Sequence, residues 1–431
     1  MTTRGEELSR AGAWALALTA TLTMAVSYVD RQALAVLAPT VTRELGISEE
    51  GYGWLIAAFS IAYLVSAPLA GVLIDRVGAR RGLLGAVLVW SAVAAMHALA
   101  PTFGVLFALR IALGLAESPS FPGAAQTVNR ALPPADQARG FGVLFTGSSL
   151  GAMAAPLIAI PLEQRWGFRA AFLGTAAIGL LWVPIWVTIA FSRAGRRALD
   201  RRHADHAPSP AGGPRPERPR ALSVVVHPAV LRALVVILGQ SPILAFVLLW
   251  TSKYLVHDHG LTQAEVKPYL VVPPLFYDVG AILFGHLASR RARIHGAGQP
   301  PRALFALAAG MCMLAAAVPL GRGPAEAIAI AGLCMVGAGA ISALTMADML
   351  TRVHPSVVST AGGVSAAAQS LAYIVVNPLI GRALGSGAGY PAVFMALGAV
   401  LFPVSMVWLL WTPPPLHEER QEQQPADAAL D

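Results

Sequence analysis

Cysteine and charge are the two things this chain has least of. There are two cysteines in 431 residues, and only 13% of side chains are charged. Cys312 and Cys334 both fall in apolar stretches without metal-ligand spacing, so neither a disulfide framework nor a metal finger is implied. Soluble domains carry about 25% charged residues. With 56% hydrophobic residues and a mean hydropathy of +0.61, the chain reads as an integral membrane protein rather than a large soluble core. No nucleophile triad, phosphate loop or metal cluster is evident, and Gly337-x-Gly339 lies inside an apolar run. An enzyme is not expected, and neither is a cofactor. A cleavable signal peptide is not expected either, because the first apolar segment is long and carries its own charges.

What is there is a succession of apolar runs, each long enough to cross about 30 Å of hydrocarbon as a helix. Twelve are expected, near 12–37, 52–74, 82–100, 103–128, 139–161, 168–191, 225–255, 268–289, 303–320, 325–350, 357–382 and 391–411. Surplus arginine marks cytoplasmic loops, so the net charge of +8 does not suggest nucleic acid. Arg76, Arg80 and Arg81 follow the second segment, Arg130 and Arg139 lie between the fourth and fifth, and Arg290, Arg291, Arg293 and Arg302 follow the eighth. With an even number of spans, both termini are expected in the cytoplasm.

The longest polar break, 192–224, is rich in arginine, proline and glycine and reads as a flexible cytoplasmic linker. It separates a first six-helix bundle, 1–191, from a second, 225–412, and a disordered cytoplasmic tail is expected over 413–431. The two sets echo each other. GVLIDRVGARRG (Gly71 to Gly82) corresponds to GHLASRRARIHG (Gly285 to Gly296), and SLGAMAAPLIA to SLAYIVVNPLIG. A parallel repeat of six helices is the pattern of the major facilitator fold.

Four charges lie within the apolar segments of the first set. Asp30 and Arg31 interrupt AGAWALALTATLTMAVSYVDRQALAVLAP, and Arg110 and Glu117 interrupt FGVLFALRIALGLAESPSFPG. A charge at mid-membrane costs about 2.5–3.5 kcal/mol on insertion scales, so such groups face partners or a wet cavity. Two acids and two arginines could neutralise one another and line a path for an ionisable solute. The plainer reading is a structural ion-pair network, although small residues hold helices together more cheaply. Arg110 and Glu117 are two turns apart on nearly one face, and Pro119 and Pro122 should bend the helix just beyond them. His97 and His286 are lone histidines, read as structural.

Gly71-x-x-x-Asp75-Arg76-x-Gly78-x-Arg80-Arg81 resembles the loop motif of major facilitator proteins, where it acts as a cytoplasmic gate latch; the alternative is simple positive-inside decoration. RIALGLAESPSFP resembles the fourth helix of the anion:cation symporter family, and SYVDRQALAVLAP the first-helix signature of its bacterial hexuronate and aldonate members. WTSKYLVHDHGLT and VPPLFYDVGAILFG resemble their seventh and eighth helices. The resemblance implies an all-α membrane protein of twelve transmembrane helices in two bundles. The implied protein is a monomeric carrier in the bacterial inner membrane. It also implies roles for individual residues. Arg31 would grip the carboxylate of the solute, with Tyr28 as a hydroxyl partner and Tyr63 nearby. Asp30 and Glu117 would carry protons, and Arg110 would tune Glu117. Asp348 would be a gate contact, and Asp278 either a second ionic site or the partner of a cytoplasmic arginine.

The second half departs from that family. Trp250-Thr251-Ser252-Lys253 lacks the helix-seven proline of relatives, which suggests different outer gating. Lys253 is expected to snorkel to the interface, a solute role being the alternative. Gln369, Tyr373 and Asn377 stand where sugar-acid relatives are glycine-rich. Gln240, Trp250 and Asn377 are candidates to bind solute hydroxyls, or else packing residues. The expected function is import of a small organic anion, a sugar acid or other carboxylate, by proton symport. The alternatives are an efflux antiporter and a non-transporting solute sensor on the same fold. GSSLGAMAAPLIAIP lacks the adjacent glycine-proline pair of efflux proteins, and neither terminus is long enough for a signalling extension.

Overall fold

A computed structural model describes residues 9–200, 224–296, 298–354, 357–412 and 414–416. The greater part of the linker and nearly all of the tail expected from sequence lie outside the described residues. Among the described residues there is no strand, and eleven helices are long and apolar enough to cross a membrane. The chain forms two units. One comprises Met1–Gly213, Leu248–Val271 and Asn377–Gly385; the other comprises Pro214–Val247, Val272–Val376 and Ser386–Asp431.

The first unit begins with α1 (Arg10–Val36), capped by the Ser9 hydroxyl, which accepts from Gly12 N. A short α2 (Ala38–Glu44) follows, with a proline in its first turn. Helix α3 (Glu49–Val77) starts at Ser48, whose side chain accepts from Gly51 N, and has Glu49 and Glu50 in its first turn, where acids complement the helix dipole. It ends at Gly78, whose φ of +84° suits glycine, and α4 (Ala79–Met96) starts at once. Helices α5 (Phe103–Glu117) and α6 (Ser120–Ala131) are separated by Ser118-Pro119, so the expected proline break falls directly after Glu117.

Helix α7 (Pro134–Ala190) is nominally continuous, but Gly167 adopts φ 81°, ψ 168° inside it. A straight helix would place Gly147 and Trp182 about 50 Å apart. Both instead meet the same turn of α1. A Cβ on Gly147 would come within 2.5 Å of Thr21 O, and Trp182 Nε1 donates to Thr19 O at 3.0 Å. The chain therefore doubles back at Gly167, and the two legs of α7 flank α1. The core of this unit is aromatic. Trp182 and Trp186 stack at 5.1 Å, and both lie with Trp90, Phe59 and Leu113 in one buried cluster. Helix α8 (Arg193–Asp200), the first part of the expected linker, is ordered onto this core through Leu199.

Helix α9 (Pro228–Leu249) gives way at Trp250 to α10 (Thr251–Asp258) and then to α11 (Lys267–Leu270). The proline missing from this segment does not abolish the break, because the helix is interrupted at Trp250 all the same. The second unit contains most of α9, α12 (Val272–His295), α13 (Arg302–Met313), α14 (Pro324–Arg352), most of α15 (Val358–Gly385) and α16 (Gly389–Leu410). Helix α14 is its centre, packing on α12 and α13. The Asp348 carboxylate is shared by two arginines: Arg232 Nη1 donates to Oδ2 at 2.6 Å, and Arg352 Nε and Nη2 donate to Oδ1 at 3.0 and 2.9 Å. Arg232 also donates to Trp408 O and lies 3.9 Å over the Trp408 ring, while Arg352 reaches the carbonyls of Gly298 and Pro414.

Removing the acid from this buried trio leaves two guanidinium groups without a counter-charge, which typically costs about 3–5 kcal/mol. Asp348→Ala should therefore lower the thermal midpoint of the purified protein in detergent substantially, and Asp348→Asn by less.

Candidate functional site

The four intramembrane charges are brought into the first unit, but not in the pairs that sequence spacing suggests. Glu117, the last residue of α5, is fully buried, and its ion-pair partner is Arg31 of α1, with Nη2 3.1 Å from Oε2. Ser27, one turn before Arg31 on the same face, donates to the same oxygen at 2.9 Å. Glu117 Oε1 is buried and has no hydrogen-bond partner. The Arg31 guanidinium is enclosed by aromatic faces, its carbon 4.6 Å from the ring centres of Tyr28 and Phe59 and 5.0 Å from that of Tyr63. Such cation–π contacts hold a desolvated guanidinium with little competition for its N–H groups. Tyr28 thus offers Arg31 its ring face.

Arg110 does not pair with Glu117. Its Nε makes one long contact, 3.5 Å, with Leu55 O, and its guanidinium carbon lies 5.0 Å from the Phe59 ring centre. No carboxylate of the described residues is within 4.0 Å of it. Asp30 is 4% exposed, and neither of its oxygens has a hydrogen-bond partner. Trp90 Nε1 is likewise buried without a hydrogen-bond partner. These four charges therefore make one closed ion pair, one arginine with no carboxylate, and one bare acid.

The other candidates fall in separate places. Trp250 and Asn377 are fully buried and satisfy each other, Trp250 Nε1 donating to Asn377 Oδ1 at 2.9 Å. Gln240, in the second unit, donates to Ala338 O at 2.6 Å and Ser342 Oγ at 3.0 Å. Asp278 is half-buried on α12. Asp348 has its contacts with Arg232 and Arg352, described above. Lys253 corrects the expectation drawn for it. It is buried rather than snorkelling, 2.7 Å from Glu49 Oε1 and 3.1 Å from Thr42 Oγ1.

In the loop motif, Asp75 Oδ1 accepts from Gln126 Nε2 at 2.9 Å, and Gln126 Oε1 accepts from Ala79 N at 2.8 Å across the Gly78 turn. Arg80 pairs with Asp200 of α8, and Arg76 is exposed. Gly71 has open space where a Cβ would stand, so no close helix approach uses it here. His97 is buried, with Nδ1 2.9 Å from Val93 O. Ser27, Phe59 and Trp90 were not singled out from sequence; only Ser27 carried a usable signal, its spacing of four from Arg31.

An all-helical chain with many apolar spans and a charged, partly unsatisfied cluster inside one unit is the mark of a multi-pass membrane transporter, not of an enzyme. The family model described as "Major Facilitator Superfamily" matches residues 20–377, and the chain belongs to that superfamily. It is 25% identical over 423 residues to the hexuronate transporter of Escherichia coli (strain K12), covering 95% of this chain and 96% of that one. It is also 25% identical over 407 residues to the D-galactonate transporter of Escherichia coli O6:H1, covering 90% and 93%. In fold it is similar to the crystal structure of a bacterial homologue of the human lysosomal transporter Spinster, in an inward-facing and unoccupied conformation. That match has a TM-score of 0.74 at 16% identity, and covers 94% of this chain and all of that one.

Ser27→Ala deletes a hydrogen bond to a charged acceptor, a contribution of about 1.5–3 kcal/mol. It should lower thermal stability in detergent by that order. Arg31→Lys should behave more like Arg31→Ala than like the parent protein, since an ammonium does not reproduce the planar group held between three rings.

Proposed function

We propose that this protein imports a small organic anion, a sugar acid or a related carboxylate, by proton symport with alternating access. The segments on either side of Gly167 are read as two spans, which makes twelve, arranged as six-helix sets 1–191 and 225–412 around the linker 192–224, with a tail over 413–431. The arginine-rich loops put both termini in the cytoplasm of a bacterial cell, and the protein sits in the inner membrane as a monomer. Relatives that carry hexuronates and galactonate support the solute class.

The observation that carries the reading is the single Arg31–Glu117 pair beside a bare acid. Arg31 has one carboxylate partner. A solute carboxylate that takes Arg31 leaves Glu117 with no ion pair in a site where an uncompensated charge is expensive. Glu117 then takes up a proton, and the loaded site is electrically neutral. Each carboxylate thus enters with one proton, and the neutral complex is the one that reorients most easily. Asp30, without a hydrogen-bond partner at either oxygen, is the group with which Glu117 shares that proton. Arg110 keeps a positive field over the site and draws the anion in. Tyr28 and Tyr63 line Arg31 and contact the solute; Gln240, Trp250 and Asn377 become available to hydroxyls when the site rearranges. Asp278 is a further ionic position. Gly71, Asp75, Arg76, Gly78, Arg80 and Asp348 serve the inner gate.

Reconstituted into proteoliposomes, the parent protein should accumulate a labelled sugar acid when the outside is acidic. Glu117→Gln should abolish accumulation driven by the pH gradient yet retain exchange of labelled for unlabelled solute; Asp30→Asn should impair the same step. Accumulation undiminished in Glu117→Gln would refute the coupling role.

A further inference from the structure

At the Glu49 end of α3, away from the charged cluster, the first unit carries a second polar assembly that the transport residues above do not use. Lys253 Nζ donates to Glu49 Oε1 and Thr42 Oγ1, and lies 5.2 Å from the Tyr52 ring centre. One residue on, Glu50 Oε1 accepts from Arg382 Nη2 at 2.8 Å. Ser252 Oγ donates at 2.9 Å to Val36 O, the carbonyl that ends α1, and Gln263 Nε2 donates to the same carbonyl. Tyr52 Oη donates to Leu249 O at 2.6 Å.

The backbones of α3 and α15 touch at this place. A Cβ on Gly53 would come within 2.3 Å of Asn377 O, and a Cβ on Gly381 within 2.3 Å of Glu49 O. Each helix thus presents a glycine to the other's main chain, and two ion pairs, made by the adjacent acids Glu49 and Glu50, lie in the first turn of α3 beside the crossing. The two pairs are not equal. Arg382 and Glu50 are both well exposed, at 67% and 39%, where an ion pair contributes little. Lys253 is buried and has a single carboxylate, so the closed crossing depends on it.

We propose that this crossing is the outer gate of the carrier, locked by Lys253 and Glu49, and that it parts once in each transport cycle. The proposal rests on the alternating-access reading above, but not on proton coupling or on the identity of the solute. The construction suits repeated opening. Besides the edge-to-face contact of the Tyr52 and Trp250 rings, at 4.8 Å, what holds the faces together is a set of charges, hydroxyls and carbonyls that water can solvate once they separate. Glu49 Oε2 is buried without a partner, so even the closed state leaves this acid incompletely bonded. Lys253 and Glu49 are positioning residues: they hold the closed crossing and need not touch the solute.

The test uses the full chain in cells and a membrane-impermeant maleimide applied outside, which reads gate opening without any solute. Tyr63→Cys, half-buried beside Arg31, is the reporter; the two native cysteines are buried. Gly381→Ala, Gly53→Ala and Glu49→Gln should each raise the labelling rate about tenfold. Glu49→Lys should do the same, and adding Lys253→Glu should bring the rate back toward the parent value. Unchanged labelling in Gly381→Ala and Glu49→Gln, in protein that elutes as a monodisperse peak, would overturn the proposal. So would a reversed-charge pair no slower than Glu49→Lys alone. Where a glycine variant does not fold, cross-linking Glu50→Cys to Arg382→Cys with a short bifunctional thiol reagent gives the converse reading. Closure should then block reporter labelling until the link is reduced, and labelling that persists through it overturns the gate. A failure of the symport reading would appear instead as absent proton-driven accumulation with these labelling responses intact.

Discussion

Everything in the first unit is organised around the expense of a charge in hydrocarbon. Arg31 is made tolerable there by Glu117 on one side and three aromatic faces around it. Glu117, in turn, has Arg31 and Ser27 on one oxygen and nothing on the other. Because neither ion has a spare partner, whatever engages one must change the state of the other. That mutual dependence is what turns a pair of buried charges into a coupling device. The helix carrying Glu117 stops at that residue, with Ser118-Pro119 breaking the run immediately after it.

The second unit shows what a saturated charge network looks like in the same protein. Arg232 and Arg352 divide one carboxylate between them and use their remaining N–H groups on the carbonyls of Trp408, Gly298 and Pro414. The cluster in the first unit leaves Asp30 bare, Glu117 half satisfied and Arg110 without an acid. A saturated network braces helices, whereas an unsaturated one has bonding capacity left for a proton and an anion. The contrast argues against reading the four charges of the first unit as helix glue.

Much of the fold was legible in the sequence, because hydropathy reports spans directly and a charge inside a span announces itself. Asp30, Arg31, Arg110 and Glu117 were visible for that reason. Their pairing was not. Arg110 and Glu117 share a helix face, but two turns of rise, about 10.5 Å, keep them from touching, and the true partner comes from α1. Sequence periodicity gives the face of a helix and not the helix that lies against it. The same gap explains Lys253, whose partner Glu49 is some two hundred residues away, and the mutual bond of Trp250 and Asn377. Ser27 was readable in principle, four residues before Arg31. The turn at Gly167 was legible as a gap between the spans expected over 139–161 and 168–191, marked by the polar Glu163-Gln164-Arg165, while the packing of both legs against α1 was not.

The central claim is that a carboxylate on Arg31 and a proton on Glu117 arrive together. The most direct measurement is proton uptake by purified protein in a lightly buffered solution when a bound sugar acid is added at neutral pH. The account predicts close to one proton taken up for each solute bound, and none in a protein lacking the Glu117 carboxylate. Binding of the anion with no proton uptake by the parent protein would contradict it.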